Sequence, residues 1–169
     1  MNTEEYASLM EQRLASSCDI LPDGIYNRKK YDMAALLLSR ENQTVLFKEN
    51  VMDYLESKEI LLFSYDYCED AIQQELESLK ETALSSAKPN RHHKSTVITH
   101  VFVYTHSVQP QTKHSITAFR FSKSFRLYLW GWTEARTVLV DLSTGSVFTN
   151  AAARLQKKFF APSLSGKQN

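Results

Sequence analysis

The sequence predicts an α+β fold built on a largely antiparallel sheet, and three stretches carry that expectation. Phe119 to Asn150 alternates an apolar face, Phe119, Phe121, Phe125, Leu127 and Leu129, with a basic and aromatic one, then runs into RTVLVDL and a Ser-Thr-Gly-Ser turn. Residues 25–65 read as a meander of short β segments separated by polar breaks. Ile72, Leu76, Leu79 and Ala83 recur at helical spacing and mark a helix near 67–86. Helices on one face or at the ends of such a sheet would bury its apolar side.

In order, Thr3 serves as an N-cap for a first helix near 3–16, with Glu4 and Glu5 in its first turn and Tyr6, Leu9, Met10 and Leu14 on one stripe. Pro22-Asp23-Gly24 is a turn. The meander comprises Ile25–Arg28, Tyr31–Ser39, Thr44–Lys48, Val51–Glu56 and Glu59–Tyr65, with turns at Glu41-Asn42-Gln43, Glu49-Asn50 and Ser57-Lys58. Within it DMAALLLSR has helical propensity, but its shortness and its neighbours favour a strand. Asp66 and Glu69 form a capping box for the helix near 67–86, which Lys88-Pro89-Asn90 ends.

The strand near 95–106, STVITHVFVYTH, is apolar on both faces and so should be central. Gln109 to Ala118 reads as a short helix with Pro110 in its first turn. Strands near 120–130, 136–142 and 146–149 complete the sheet, and Asn150 or Thr149 caps a closing helix near 151–158. The expected organisation is one domain over 1–160 and a polar, disordered tail over 161–169.

Of 169 residues, 43% are hydrophobic and 23% charged, as in ordinary globular chains. The longest aliphatic run, Ala34 to Leu38, is far below the ~20 residues of a membrane span. The N-terminus is acidic without an apolar signal core, and Cys18 and Cys68 stand far apart with no CxxC. A cytoplasmic protein without a membrane role or a cofactor is the expectation.

The net charge of +1 conceals a division. Residues 1–87 hold eight Lys/Arg against seventeen Asp/Glu, a balance of −9, whereas 88–169 hold twelve against two, a balance of +10. Either the halves neutralise each other, or the basic half meets an anionic macromolecule such as nucleic acid, or the acidic side guides a protein partner. Arg120, Lys123, Arg126, Trp130, Trp132 and Arg136 are the candidate contacts, because guanidinium groups pair with anions and flat rings stack. A covering helix would bury those rings instead and leave the arginines to reach water along their stems.

Catalytic signatures are scarce. All five histidines fall within His92–His114, but that segment has no Asp, Glu or Cys, and His100 and His106 lie too far apart on one strand to share an ion, so no metal site is assigned. Glu56-Ser57-Lys58 is an ExK triplet which, with Asp32 or Asp53, would suit a metal-dependent hydrolase or nuclease. Its placement in a turn argues against that chemistry. No GxSxG, P-loop or GxGxxG occurs.

HHKSTVITHVFV (92–103) and FRLYLWGWTEARTVLVDLSTGSVFTNAAA (125–153) resemble the C-terminal part of a family of small prokaryotic cytosolic proteins, a domain of unknown function. Its pattern joins an STVIT-like strand, a Gly-Trp pair, an LVDL strand and a VxTN ending. This chain departs from it with Trp130 before Gly131, where lysine is usual, and with alanine after Asn150. The resemblance implies a cytosolic single domain and no catalytic residue. The expected function is a non-enzymatic binding module, with a hydrolase as the competing class, and exposed edge strands make a homodimer the expected assembly.

Overall fold

A computed structural model describes residues 1–44 and 52–162. Helix α1 (Thr3–Leu14) starts at Asn2, whose carboxamide accepts from the Glu5 amide at 2.8 Å while Glu5 accepts from the Asn2 amide at 2.9 Å. The cap is therefore one residue earlier than Thr3. Three two-residue strands follow: β1 (Asp19–Ile20), β2 (Ile25–Tyr26) and β3 (Lys29–Lys30). They lead into the long strands β4 (Met33–Thr44) and β5 (Met52–Tyr65). Then come α2 (Ile72–Ser86), β6 (His93–Tyr104), α3 (Pro110–Ala118), β7 (Phe121–Ser124), β8 (Trp132–Asp141) and β9 (Ser146–Thr149).

The fold is α+β. Its main sheet has the order β1-β4-β5-β6-β8-β7, and β9 pairs with the second half of β8 beyond β7. Most pairings are antiparallel, but β5–β6 and β6–β8 are parallel, so the centre of the sheet is a parallel unit joined by α2 and α3 crossovers. As its two-sided apolar sequence requires, β6 is the central strand. Helices cover both faces. Tyr6, Met10 and Leu14 of α1 pack on Met33, Phe63, Val101 and Val138, and Ile72, Leu76 and Leu79 of α2 pack on Ile60, Ile98 and Phe102 opposite.

Several local expectations change. Glu41-Asn42-Gln43 and Ser57-Lys58 are not turns: β4 and β5 pair without a break in register from Met33↔Phe63 to Thr44↔Met52. Cross-strand pairing there, including an Arg40–Glu56 ion pair at 2.7 Å, outweighs the weak β propensity of the polar residues. The turn at Glu49-Asn50 lies outside the described residues. Asp66, at φ 45°, does not cap α2; its carboxylate accepts from the backbone and hydroxyl of Thr105, and Glu69 accepts from the Gln109 amide and the Thr112 hydroxyl. Asp66 thereby ties the end of β5 to the end of β6, Glu69 ties the segment ahead of α2 to the start of α3, and α2 begins later, after a 3₁₀ turn at Glu69–Ala71.

The strand expected near 120–130 stops at Ser124, because Arg126, Leu127 and Tyr128 all take positive φ. No α-helix forms near 151–158. Asn150 does cap the turn, accepting from the Ala153 amide at 3.1 Å, but the chain continues as turns and a 3₁₀ segment at Arg154–Gln156. The reason is Phe160, which is buried beside Phe63 while its carbonyl accepts from the Tyr6 hydroxyl at 2.9 Å, pulling the chain down onto α1. Arg13 holds the next turn through the Phe159 and Ala161 carbonyls.

That seam makes the C-terminal segment part of the core. Phe160→Ala is expected to cost about 3 kcal/mol of stability. Urea unfolding monitored by circular dichroism measures it, and a loss below about 1 kcal/mol would contradict the assignment.

Candidate anion-binding site

The parallel strands β5, β6 and β8 all begin at one end of the sheet, and a cavity with a volume of about 490 Å³ opens there. It is lined by the middle of β4 (Leu38, Arg40), the stretch of β5 paired with it (Glu56, Lys58) and the start of β6 (His93, Thr96). The C-terminus of α2 and the residues after it, Ser86, Lys88 and Asn90, form its roof. Arg40, Lys58 and Lys88 bring three cations to this space. Glu56 is the one carboxylate among the described lining residues, and Arg40 engages it.

Lys58 donates to the Ser86 carbonyl at 3.3 Å, a favourable place for a cation at a helix C-terminus. Partial burial depresses its pKa, neighbouring Lys88 depresses it further, and Glu56 offsets only part of this. An anion entering the cavity would remove that strain by restoring a counter-charge. Rings border the site: Tyr54 stacks on His92 at 4.3 Å between centroids, and the Arg40 guanidinium lies 5.1 Å from the Tyr54 ring.

On the other side of His93 stands the β7–β8 loop. The His93 Nδ1 atom hydrogen-bonds the Trp130 carbonyl at 2.8 Å and Nε2 contacts the Thr96 hydroxyl at 2.9 Å, so this buried ring joins cavity and loop. Four backbone bonds close the loop: Phe125 N–H to Gly131 O, Trp130 N–H to Phe125 O, Leu129 N–H to Arg126 O and Gly131 N–H to Tyr128 O. Arg126 lies 3.9 Å over the Trp130 ring. Gly131 sits at φ 76°, where a Cβ would come within 2.5 Å of the His93 carbonyl oxygen.

The six sequence candidates divide between the β7–β8 loop and the strands beside it. Arg126 and Trp130 share the loop, and Lys123 lies exposed beside it with its ammonium 5.9 Å from the Phe125 ring. Arg120 is exposed further along the edge and lines a separate depression with Glu134 and Asn150. Trp132 and Arg136 are half-buried on β8, and Arg136 is paired with Glu134 at 2.7 Å. Of the hydrolase set, Glu56 and Lys58 lie in the cavity, within a strand rather than a turn. Asp32 is at the opposite end of β5, accepting from the Tyr65 amide, and the Asp53 side chain falls outside the described residues. Among the described residues no group of three or more His, Cys, Asp or Glu is arranged to hold a metal ion.

A family model described as a domain of unknown function, DUF8052, matches residues 2–162. The chain belongs to that family. No curated protein and no solved structure matches it. Sequence reasoning did not find the roof of the candidate site, Ser86, Lys88 and Asn90, because only the α2–β6 crossover brings it over Lys58.

A second constellation also escaped the sequence. Ser64 Oγ lies 2.9 Å from His100 Nε2, and His100 Nδ1 lies 3.4 Å from Glu75 Oε1, the order of a nucleophile, a base and an orienting carboxylate. All three are buried, at 5%, 0% and 4% exposure, and the imidazole is packed between Phe102, at 4.0 Å, and the edge of Tyr31, at 5.4 Å. This is core: Glu75 also accepts from Lys29 and from the Tyr67 hydroxyl, satisfying a buried charge. Burial, with Lys29 adding to it, lowers the His100 pKa from 6.5 to about 3.

Two predictions follow from these contacts. Gly131→Ala is expected to lose about 2 kcal/mol and to change tryptophan emission as Trp130 leaves His93. Retained stability and an unchanged spectrum would show that the loop tolerates a Cβ. Because folding keeps His100 neutral while the unfolded chain protonates it below 6.5, stability should fall as pH drops from about 6.5 towards 4.5, above the carboxylate range. His100→Gln should flatten that part of the stability curve; a parallel curve would contradict the assignment.

Proposed function

We propose that this chain is a binding module that takes a phosphate-bearing anion at the basic end of its sheet. The observation that carries the reading is the concentration of Arg40, Lys58 and Lys88, with His93, around one concavity whose described lining residues include a single carboxylate. Hydroxyls of Ser57, Ser86, Ser95 and Thr96 in the same lining provide the neutral donors that phosphate oxygens require. The stacked rings of Tyr54 and His92 flank the site and suit a ligand with a flat group beside its phosphate. In this reading the protein works in the cytoplasm with Cys18 and Cys68 as free thiols.

One observation favours the hydrolase reading as a second possibility: Glu56 and Lys58 project from alternate positions of one strand into the same cavity. Such an enzyme would need a further carboxylate beside Glu56 to hold its metal ion, and Asp32 is not placed to supply it. Glu56→Gln would abolish Mg²⁺-dependent cleavage of a labelled oligonucleotide if the enzyme reading held. In the binding reading there is no cleavage to abolish.

Titration with inorganic pyrophosphate by calorimetry at low salt, followed by a single-stranded oligonucleotide, tests the main proposal. Binding should weaken as salt rises, and Lys58→Met or Lys88→Met should each reduce affinity about tenfold. Arg120→Ala, outside the cavity, should leave it unchanged. Equal affinities in all the variants would sink the assignment.

A further inference from the structure

The tip of the β7–β8 loop presents three apolar side chains to solvent: Leu127 is 90% exposed, Tyr128 69% and Leu129 76%. Exposed apolar groups gathered in one place mark an interaction site. These three are held in place. Arg126, Leu127 and Tyr128 each occupy the left-handed region, an arrangement that non-glycine residues adopt only at a cost, and the four backbone bonds of the loop sustain it. The result is a rigid convex knob with Arg126 and Trp130 at its base and Lys123 beside it.

Resting on the phosphate-binding reading of the cavity, we infer that this knob seats the protein on an anionic lipid surface, with the headgroup phosphate as the anion of the cavity. The shape and chemistry choose this occupant. A convex tip needs a partner that yields around it, and the boundary between lipid headgroups and acyl chains does so without a preformed pocket. Leucines gain by entering acyl chains, whereas Tyr128 and Trp130 suit the headgroup level, where a ring is half apolar and half polar. A nucleic-acid strand would stack on the rings but offers little to two leucines. Lys123 and Arg126 beside the tip, and Lys88 at the cavity, add attraction to an anionic leaflet. His93 lines the cavity and bonds the Trp130 carbonyl, so the knob stands beside the cavity, and in this inference one lipid surface meets both. No helix among the described residues is long and apolar enough to cross a membrane, and this mode needs none.

Vesicle flotation with the full chain tests the inference, using phosphatidylcholine alone and phosphatidylcholine with added phosphatidylserine or a phosphoinositide. The wild type should float with the anionic vesicles only. Leu127→Ser/Leu129→Ser, which alters exposed positions alone, should weaken flotation at least about tenfold while its pyrophosphate affinity stays that of the wild type. Wild-type protein that binds pyrophosphate but stays with the soluble fraction overturns the lipid inference and leaves the cavity reading standing. Failure to bind either overturns both. Flotation unaffected by the serine substitutions removes the knob from the account. Oligonucleotide binding, or self-association by light scattering, that the substitutions abolish in place of flotation assigns the knob to nucleic acid or to a second copy and overturns it equally.

Discussion

Glu75 carries a carboxylate into the layer between α2 and the sheet, and much of the architecture is arranged around keeping it satisfied. A buried charge without partners costs several kcal/mol, so its surroundings cannot move independently. Lys29 reaches it from the β2–β3 ribbon, Tyr67 from the chain ahead of α2, and His100 faces it from the central strand. These contacts fix the N-terminal half of α2 against β6. The same ribbon secures the other end of the helix, where Tyr26 donates to the Ser86 hydroxyl at 2.9 Å and Asn27 to the Ser85 hydroxyl at 3.0 Å. The roof of the candidate cavity is thus the far end of a helix pinned by a buried carboxylate.

The charge division of the sequence has a mixed physical outcome. Part of it is neutralised across the halves, as in Lys94 with Glu41 at 2.6 Å. Part is neutralised within the basic half itself, as in Arg136 with Glu134. The cations gathered at the cavity and the adjoining loop come from both halves: Arg40 and Lys58 from the acidic one, Lys88 and Arg126 from the basic one. A count along the chain detects the imbalance and cannot locate it, because folding sets the distances on which the field depends.

Much of the fold was legible. The stripes of α1 and α2, the two-sided apolar pattern of β6 and the Ser-Thr-Gly-Ser turn before β9 are local patterns, and local patterns survive folding. The parallel pairing of β5, β6 and β8 was not legible, since period two marks a strand without giving its direction. Nor was the polar stretch Arg40 to Gln43 recognisable as strand, because its stability comes from partners on β5. The loop at Arg126 to Tyr128 reads as alternating strand in sequence and becomes a knob through three left-handed residues, none of them glycine. Of the site, Arg126 and Trp130 were found by the pairing of cation and ring. Lys58 was noticed only through a triplet and placed in a turn, while Lys88 and His93 became site residues through a crossover that no local pattern encodes.

The central claim is that ligand chemistry is confined to the end of the sheet where the parallel strands begin. The most direct measurement is an amide chemical-shift map of the labelled protein titrated with pyrophosphate. The account predicts perturbations over residues 56–58, 86–96 and 130–132, with Thr105 to Thr112 at the opposite end unmoved. Shifts centred on that opposite end, or no saturable shifts at low salt, would contradict it.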